Sequence, residues 1–317
     1  MARIALTGAT GFIGRHTATA LAATHRVRAL VRRPAPELAS SGVELVAGEL
    51  EDGATLARLC RGAEVLLHVA GAIRAPDAAA FHRVNAAASA ELARVAARAG
   101  VRRFVLVSSL AARAPTVSAY GASKAAAEEM VVGAAGRDLE IIIVRPPAVY
   151  GPGDRTTFDL FRALARGLLP APAGSAARFS LLYVEDLAAL LALLASAAKA
   201  PRVPLEPDDG RPGGYGWRDV ARIAAQALGR PVRLLPVPWT LAAALSTLAT
   251  IAARIGGRPS PLPRDRLRQL YHPDWVCRSE TMAALGSWRP QVRFEQGVLR
   301  TLAWYEAAGW LRLPEAR

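Results

Sequence analysis

The sequence predicts an α/β fold, a doubly wound parallel sheet with a smaller C-terminal lobe, on three observations. Short apolar runs alternate with helical stretches through the first half, a glycine-rich turn follows the first run, and the texture changes near residue 150. With 317 residues and a hydrophobic fraction of 52%, the chain can form one large domain or two modest ones around ample apolar surface.

Six runs read as strands: "RIALT" (3–7), "VRALV" (27–31), "VELVA" (43–47), "EVLLHV" (64–69), "RFVLVS" (103–108) and "EIIIVR" (140–145). They are almost uniformly apolar, the pattern of parallel strands covered on both faces. Between them, 12–23, 53–61, 77–99 and 118–135 are rich in Ala, Leu, Arg and Glu and read as helices. After "RPPAVYGPGD" (145–154) prolines and glycines scatter, while 184–199, 217–229 and 294–309 still read as helices. A cofactor-binding domain is expected over 1–150, with later elements returning to it, and a mainly substrate-binding lobe over 151–317.

Composition excludes several classes. The formal charge is +14, yet the arginines are spread along the chain and no basic run carries interleaved aromatics, so a nucleic-acid partner is not expected. Anionic lipid or a phosphorylated cofactor suits the charge better. Cys60 and Cys277 match no metal spacing and read as two buried thiols in a reducing compartment; no metal site is expected. The apolar run after Arg3 is broken by glycines and threonines and has no cleavage signature, so it reads as mature, cytoplasmic sequence.

The first strand runs into "TGATGFIG", with Gly8, Gly11 and Gly14 at three-residue spacing and Thr10, Phe12 and Ile13 completing the loop. Such a turn lets backbone amides approach a pyrophosphate and lets the next helix pack on the strand, a Rossmann-type arrangement. The second strand ends in Arg32 and Arg33, where an acidic residue would favour a free ribose 2′-hydroxyl. Guanidinium groups suit a 2′-phosphate, so NADP(H) is expected in preference to NAD(H).

With "HVAG" (68–71), "VSS" (107–109), "YGASK" (120–124) and "RPPAVYGPGD" in order behind that loop, the chain resembles the extended short-chain dehydrogenase/reductase family, closely over about residues 3–200. The resemblance implies proton transfer by Tyr120, Lys124 and a serine. Of Ser108 and Ser109, alignment with the family's strand pattern selects Ser109. It further implies cofactor contacts at Glu49 and Leu50, with Glu in place of the usual Asp, at Val69, Ala70 and Gly71, and at Pro146 and Val149. Asn85 matches a family asparagine that either satisfies a backbone group or acts directly, and Asp186 matches a helix start whose carboxylate complements the helix dipole. The chemistry of the residues agrees. A free phenol is a poor acid or base near neutrality, and an ammonium one helical turn away is expected to lower its pKa.

Only eleven positions separate Ser109 from Tyr120, shorter than in many sugar-nucleotide members. That short loop argues against a sugar nucleotide, and together with the apolar, arginine-flanked stretch near 239–255 it makes a hydrophobic ketone, alcohol or lipid the expected substrate. The later lobe looks like that of bacterial reductases acting on ceramide precursors, which implies the 3-keto group of a long-chain base. A sugar-nucleotide epimerase or dehydratase with bound NAD and a non-catalytic accessory subunit are the alternatives, and a homodimer is compatible with all three.

From Trp239, the uncharged stretch 234–253 and its flank place Leu241, Leu245, Leu248 and Ile255 on one helical stripe and Thr240, Thr247, Thr250 and Arg254 on another. That pattern fits an interfacial helix near 239–255 at the inner face of a membrane, a lid over an apolar pocket, or an ordinary core helix.

Overall fold

A computed structural model describes residues 1–172, 176–197, 201, 203–256, 263–286 and 288–313, and of residues 254, 255 and 284 the backbone only. The chain forms two compact units. The first comprises Met1–Pro146, Val184–Pro207 and Arg278–Trp288; the second comprises Pro147–Tyr183, Asp208–Cys277 and Arg289–Arg317.

The first unit runs β1 (Arg3–Thr7), α1 (Phe12–Ala22), β2 (Arg26–Val31), α2 (Pro36–Ser40), β3 (Glu44–Ala47), α3 (Gly53–Cys60), β4 (Val65–His68) and α4 (Ala78–Phe81). A π-helical turn (His82–Ala87) leads into α5 (Ala88–Arg98) and β5 (Arg103–Val107), and two 3-10 turns (Leu110–Arg113, Pro115–Val117) precede α6 (Ala119–Ala134) and β6 (Glu140–Val144). The six strands form one parallel sheet in the order β3-β2-β1-β4-β5-β6. Strand order reverses between β1 and β4, the switch point where open α/β sheets leave a crevice beyond the strand carboxyl ends.

Strand pleating sorts the apolar runs to two sides. Ala5, Leu66, Phe104 and Leu106 pack with Leu56, Leu59 and Cys60 of α3, Leu92 and Val95 of α5 and Val131 of α6. Burial in that layer pushes the Cys60 thiol up to about 12, which makes it inert; Cys277 is buried as well. Side-chain caps fix where helices begin: Asp52 accepts from the Ala54 amide at 3.0 Å, Asp77 from Ala80 at 2.7 Å and Ser118 from Gly121 at 3.0 Å. The helix expected over 77–99 is therefore three pieces, because the π turn at His82–Ala87 inserts an extra residue into its register.

After β6 the second unit begins with β7 (Ala148–Tyr150), α7 (Phe158–Ala165), β8 (Leu168–Pro172), β9 (Arg178–Phe179) and β10 (Leu181–Tyr183). The chain returns to the first unit as α8 (Val184–Ser196), which packs against α1, β4 and β5 on the opposite side of the sheet from α3 and α5. Asp186 is buried in its first turn. Arg103, only 1% exposed, ties this helix to the sheet: its guanidinium donates to Glu140 at 2.5 Å and to the Leu194 carbonyl at 2.8 Å.

The second unit resumes with α9 (Trp217–Leu228), β11 (Arg233–Val237), α10 (Trp239–Ile255), α11 (Arg264–Tyr271) and β12 (Asp274–Trp275), and closes with α12 (Phe294–Ala307). Three two-stranded parallel pairs, β10-β7, β11-β8 and β12-β9, surround an aromatic core of Tyr150, Phe161, Tyr183, Tyr215, Phe294 and Tyr305. The Gly-rich segment 208–217 acts as its latch. The Tyr215 hydroxyl donates to Asp209, which also accepts from the Phe294 amide at 3.2 Å, and the Arg211 guanidinium lies 4.5 Å over the Tyr215 ring. In α10, Ala242 and Ser246 are buried whereas Leu241, Leu245 and Leu248 are exposed, which overturns the core-helix expectation for that stripe. The side chains of Arg254 and Ile255 lie outside the described ones. Among the described residues no helix is long and apolar enough to cross a membrane.

Candidate active site

The glycine loop joins β1 to α1 at the switch point. Gly8 has φ +76°, and a Cβ there would stand 2.6 Å from the Ala70 amide nitrogen. A Cβ on Gly14 would stand 1.9 Å from the Gly8 carbonyl oxygen, so α1 starts in backbone contact with the loop. The Gly11 amide closes the turn on the Gly8 carbonyl at 2.9 Å. No side chain caps α1 and no acidic residue lies in its first turn, which leaves the amides of a helix N-terminus and the positive end of its dipole for an anion. Thr10 and Gly11 are exposed and Phe12 and Ile13 half-buried there. These residues fit a dinucleotide pyrophosphate. Because the obstructing atom is backbone, Gly14→Ala is expected to cost about 1–3 kcal/mol of folding stability and to weaken cofactor binding, read by urea unfolding and by cofactor titration. An unchanged unfolding midpoint would show that the loop yields freely.

Arg32 and Arg33 are exposed immediately beyond β2, and Glu49 is exposed beyond β3, where Leu50 packs on the core. Past β4, the Val69 amide donates to the Thr7 carbonyl at 3.3 Å and the Ala70 amide to the Thr7 hydroxyl at 3.4 Å, which holds this stretch against β1. At Gly71 a Cβ would lie 3.3 Å from Asn85 Oδ1 and 3.5 Å from Lys124 Nζ. The buried Pro146 accepts from the Leu110 amide at 2.9 Å. Val149 lies on β7, in the second unit.

Tyr120 and Lys124 share a face of α6, one turn apart. The Tyr120 phenol is hydrogen-bonded to the Ser109 side chain, and its ring meets Phe81 edge-on with centroids 6.0 Å apart. Ser109 Oγ also accepts from the Ala111 amide at 3.2 Å, which caps the 3-10 turn at Leu110. Lys124, 5% exposed, donates from Nζ to the Val107 carbonyl at 2.8 Å. Burial lowers its pKa to about 8, against the opposing pull of the Glu128 carboxylate.

The electrostatics correct one expectation. The Tyr120 phenol is raised above its ordinary value by burial, and the Ser109 hydrogen bond only offsets this; the net direction is the opposite of the lowering expected from Lys124, whose Nζ donates to the Val107 carbonyl at the end of β5. The phenol is held protonated, as a proton donor requires.

Two supporting groups, Glu128 and His68, escaped the sequence reading, and the second candidate serine proves to serve one of them. Ser108 does not face Tyr120: it is buried and its hydroxyl donates to Glu128. Glu128, buried one turn beyond Lys124, also takes a fork of bonds from Arg145, Nε at 3.0 Å and a terminal nitrogen at 2.5 Å. His68, fully buried, bridges Thr7 Oγ1 at 2.6 Å and Ser89 Oγ at 2.7 Å. The Ser89 proton goes to the Asn85 carbonyl at 2.6 Å, so His68 donates through Nε2 and accepts from Thr7 at Nδ1. Burial first, and the Lys124 charge second, lower its pKa to about 3, so it is neutral. Asn85 pairs both amide atoms with Ala72, at 2.7 and 3.0 Å, and donates to Ser123 at 2.9 Å, fixing the 69–72 stretch to α6. The only sequence signal for these was i+4 spacing from Lys124 to Glu128.

The description of the NAD dependent epimerase/dehydratase family matches residues 4–204. Ceramide reductase of Caulobacter vibrioides is 40% identical over 314 residues, covering 97% of this chain and 96% of that protein. UDP-glucose 4-epimerase of Vibrio cholerae is 26% identical over 327 residues, covering 94% of each. Among solved structures, MoeE5 in complex with UDP-glucose and NAD superposes with a TM-score of 0.71 at 20% identity over 97% of this chain and 99% of that one, a likeness of fold. A family match over most of the chain, on a Rossmann sheet with the glycine loop at its switch point, makes this chain a member of the NAD dependent epimerase/dehydratase family, extended short-chain dehydrogenase/reductases that use NAD(P) on CH-OH and C=O carbons.

Proposed function

We propose that the chain is an NADPH-dependent reductase of a hydrophobic ketone, and that its substrate is the 3-keto group of a ceramide or sphingoid precursor. The observation that carries this reading is the grouping at the start of α6: Tyr120 and Lys124 one turn apart, Ser109 at the phenol, and Lys124 Nζ held 2.8 Å from the Val107 carbonyl beside Gly71. The name of the Caulobacter relative supports the substrate class.

When bound, the nicotinamide supplies the hydride. Tyr120 donates its proton to the ketone oxygen, and Ser109 hydrogen-bonds that oxygen as charge develops on it. Lys124 holds a positive charge beside Gly71 and the end of β5, where it steadies the phenolate left after transfer. The loop and α1 amides bind the pyrophosphate, and Arg32 and Arg33 meet the 2′-phosphate. Glu49, Leu50, Val69, Ala70, Pro146 and Val149 are assigned to the remaining cofactor contacts, and the second unit to substrate selection.

The test is oxidation of NADPH and of NADH by purified protein, with 3-ketoceramides, 3-keto-sphingoid bases, ketosteroids and UDP-sugars. Turnover of a lipid ketone with NADPH favoured is the expected result. Conversion of a UDP-sugar with tightly held NAD would replace this reading by an epimerase.

A further inference from the structure

Thirteen large hydrophobic side chains are exposed among the described residues, and seven of them fall between Leu235 and Leu270. Four project from α10: Leu241 at 51% exposure, Leu245 at 52%, Leu248 at 64% and Ile251 at 50%. At about 100° per residue they occupy one sector of about 120°, and they run for about 15 Å along the helix. The opposite face, with Ala242 and Ser246, is turned into the second unit. Trp239 meets Tyr271 of α11 edge-on at 5.1 Å, and the Tyr271 hydroxyl donates to the Val237 carbonyl at 2.6 Å, so α10 is buttressed by α11 with its apolar face outward.

Charge decides what covers it. From residue 220 to residue 270 the sequence holds eight arginines and one acidic residue, Asp265. Arg233 before α10, and Arg264 and Arg268 on α11, are exposed. A second copy of a +14 chain would bring the same strongly basic segment against itself, like charge on like. An anionic lipid surface supplies both complements, headgroup phosphates for the guanidiniums and an acyl boundary for the leucines. The helix is too short and too weakly apolar to span, so it must lie in the plane of that surface.

We propose that the exposed face of α10, with Arg233, Arg264 and Arg268, docks the second unit on an anionic phospholipid surface. This inference does not depend on the reductase reading, and its experiment requires no turnover. Full-length protein is floated with phosphatidylglycerol/phosphatidylcholine vesicles and with pure phosphatidylcholine vesicles, at low and high salt, alongside the double variant Leu245→Asn/Leu248→Asn. Both side chains are exposed, so the variant is expected to keep the parent's melting temperature and cofactor affinity, which are measured in parallel. The expected result is co-flotation with the anionic vesicles only, weakened by salt and reduced at least about tenfold in the variant. Absence of binding to anionic vesicles, or binding that the substitutions leave unchanged, would overturn the proposal. So would a dimer in solution that the substitutions dissolve, since it would assign the face to a second copy.

Discussion

Tyr120→Phe is expected to lower kcat by about a hundredfold to ten-thousandfold while cofactor affinity stays at the parent value. The substitution deletes one oxygen and little else. The ring keeps its edge-on contact with Phe81, α6 keeps its Ser118 cap, and the lost Ser109 bond costs about 0.5–1.5 kcal/mol of stability. Loss of a proton donor and loss of fold are therefore separable: steady-state kinetics should collapse while the melting curve barely moves. Burial raises the phenol above its ordinary pKa, so Tyr120 is expected to stay protonated throughout the neutral range, and any pH dependence of turnover there is expected to arise from another group. Turnover within a few-fold of the parent would mean that the proton reaches the ketone by another route.

How far the sequence foretold this site depends on what each feature rests on. Buried parallel strands are written as unbroken apolar runs, so all six strands of the large sheet are legible to within a residue or two, as is the glycine loop between the first strand and helix. Strands such as Arg178–Phe179 and Asp274–Trp275 are two residues long and have no period to read; only the surrounding packing makes them strands. The π turn at His82–Ala87 is invisible for a related reason, since an inserted residue leaves the alanine-rich composition of a helix intact. Within the site, spacing puts Tyr120 beside Lys124 but does not tell Ser108 from Ser109. The carboxylate that claims Ser108 comes from Glu128, which in sequence looks like any solvated glutamate of a helix. The direction of the Tyr120 shift is likewise a property of burial, which spacing does not encode. In the Gly-rich segment 208–217, Asp209 and Tyr215 are occupied in holding the aromatic core together, a role that no sequence pattern announces.

Glu128 supplies the second large effect. Its carboxylate is 7% exposed and meets three partners of different kinds: the Ser108 hydroxyl next to Ser109, the Arg145 fork, and the Lys124 charge one turn back along α6. Glu128→Ala strands a guanidinium and an ammonium in the interior, and is expected to cost about 3 kcal/mol of unfolding free energy. Arg145 retains Glu206 at 3.9 Å, which keeps the loss near that lower end. Glu128→Gln preserves shape and removes only the charge, so it separates electrostatics from packing. The Lys124 ammonium titrates at about 8, lowered by burial and held up by Glu128; His68 across from it is neutral and supplies no compensating charge. If the ammonium is needed to steady the phenolate, parent activity falls as pH rises through about 8, and in Glu128→Gln that falling limb moves to lower pH, because the charged lysine has lost its counter-ion. The stability linkage has the opposite slope. The unfolded lysine binds its proton up to 10.5 and the folded one only to about 8, so this group contributes increasing stability as pH rises across that window. Kinetic pH profiles and urea unfolding across the same range test both signs. An activity limb that stays in place in Glu128→Gln would remove the carboxylate from control of Lys124 and leave it only the task of anchoring Ser108 and Arg145.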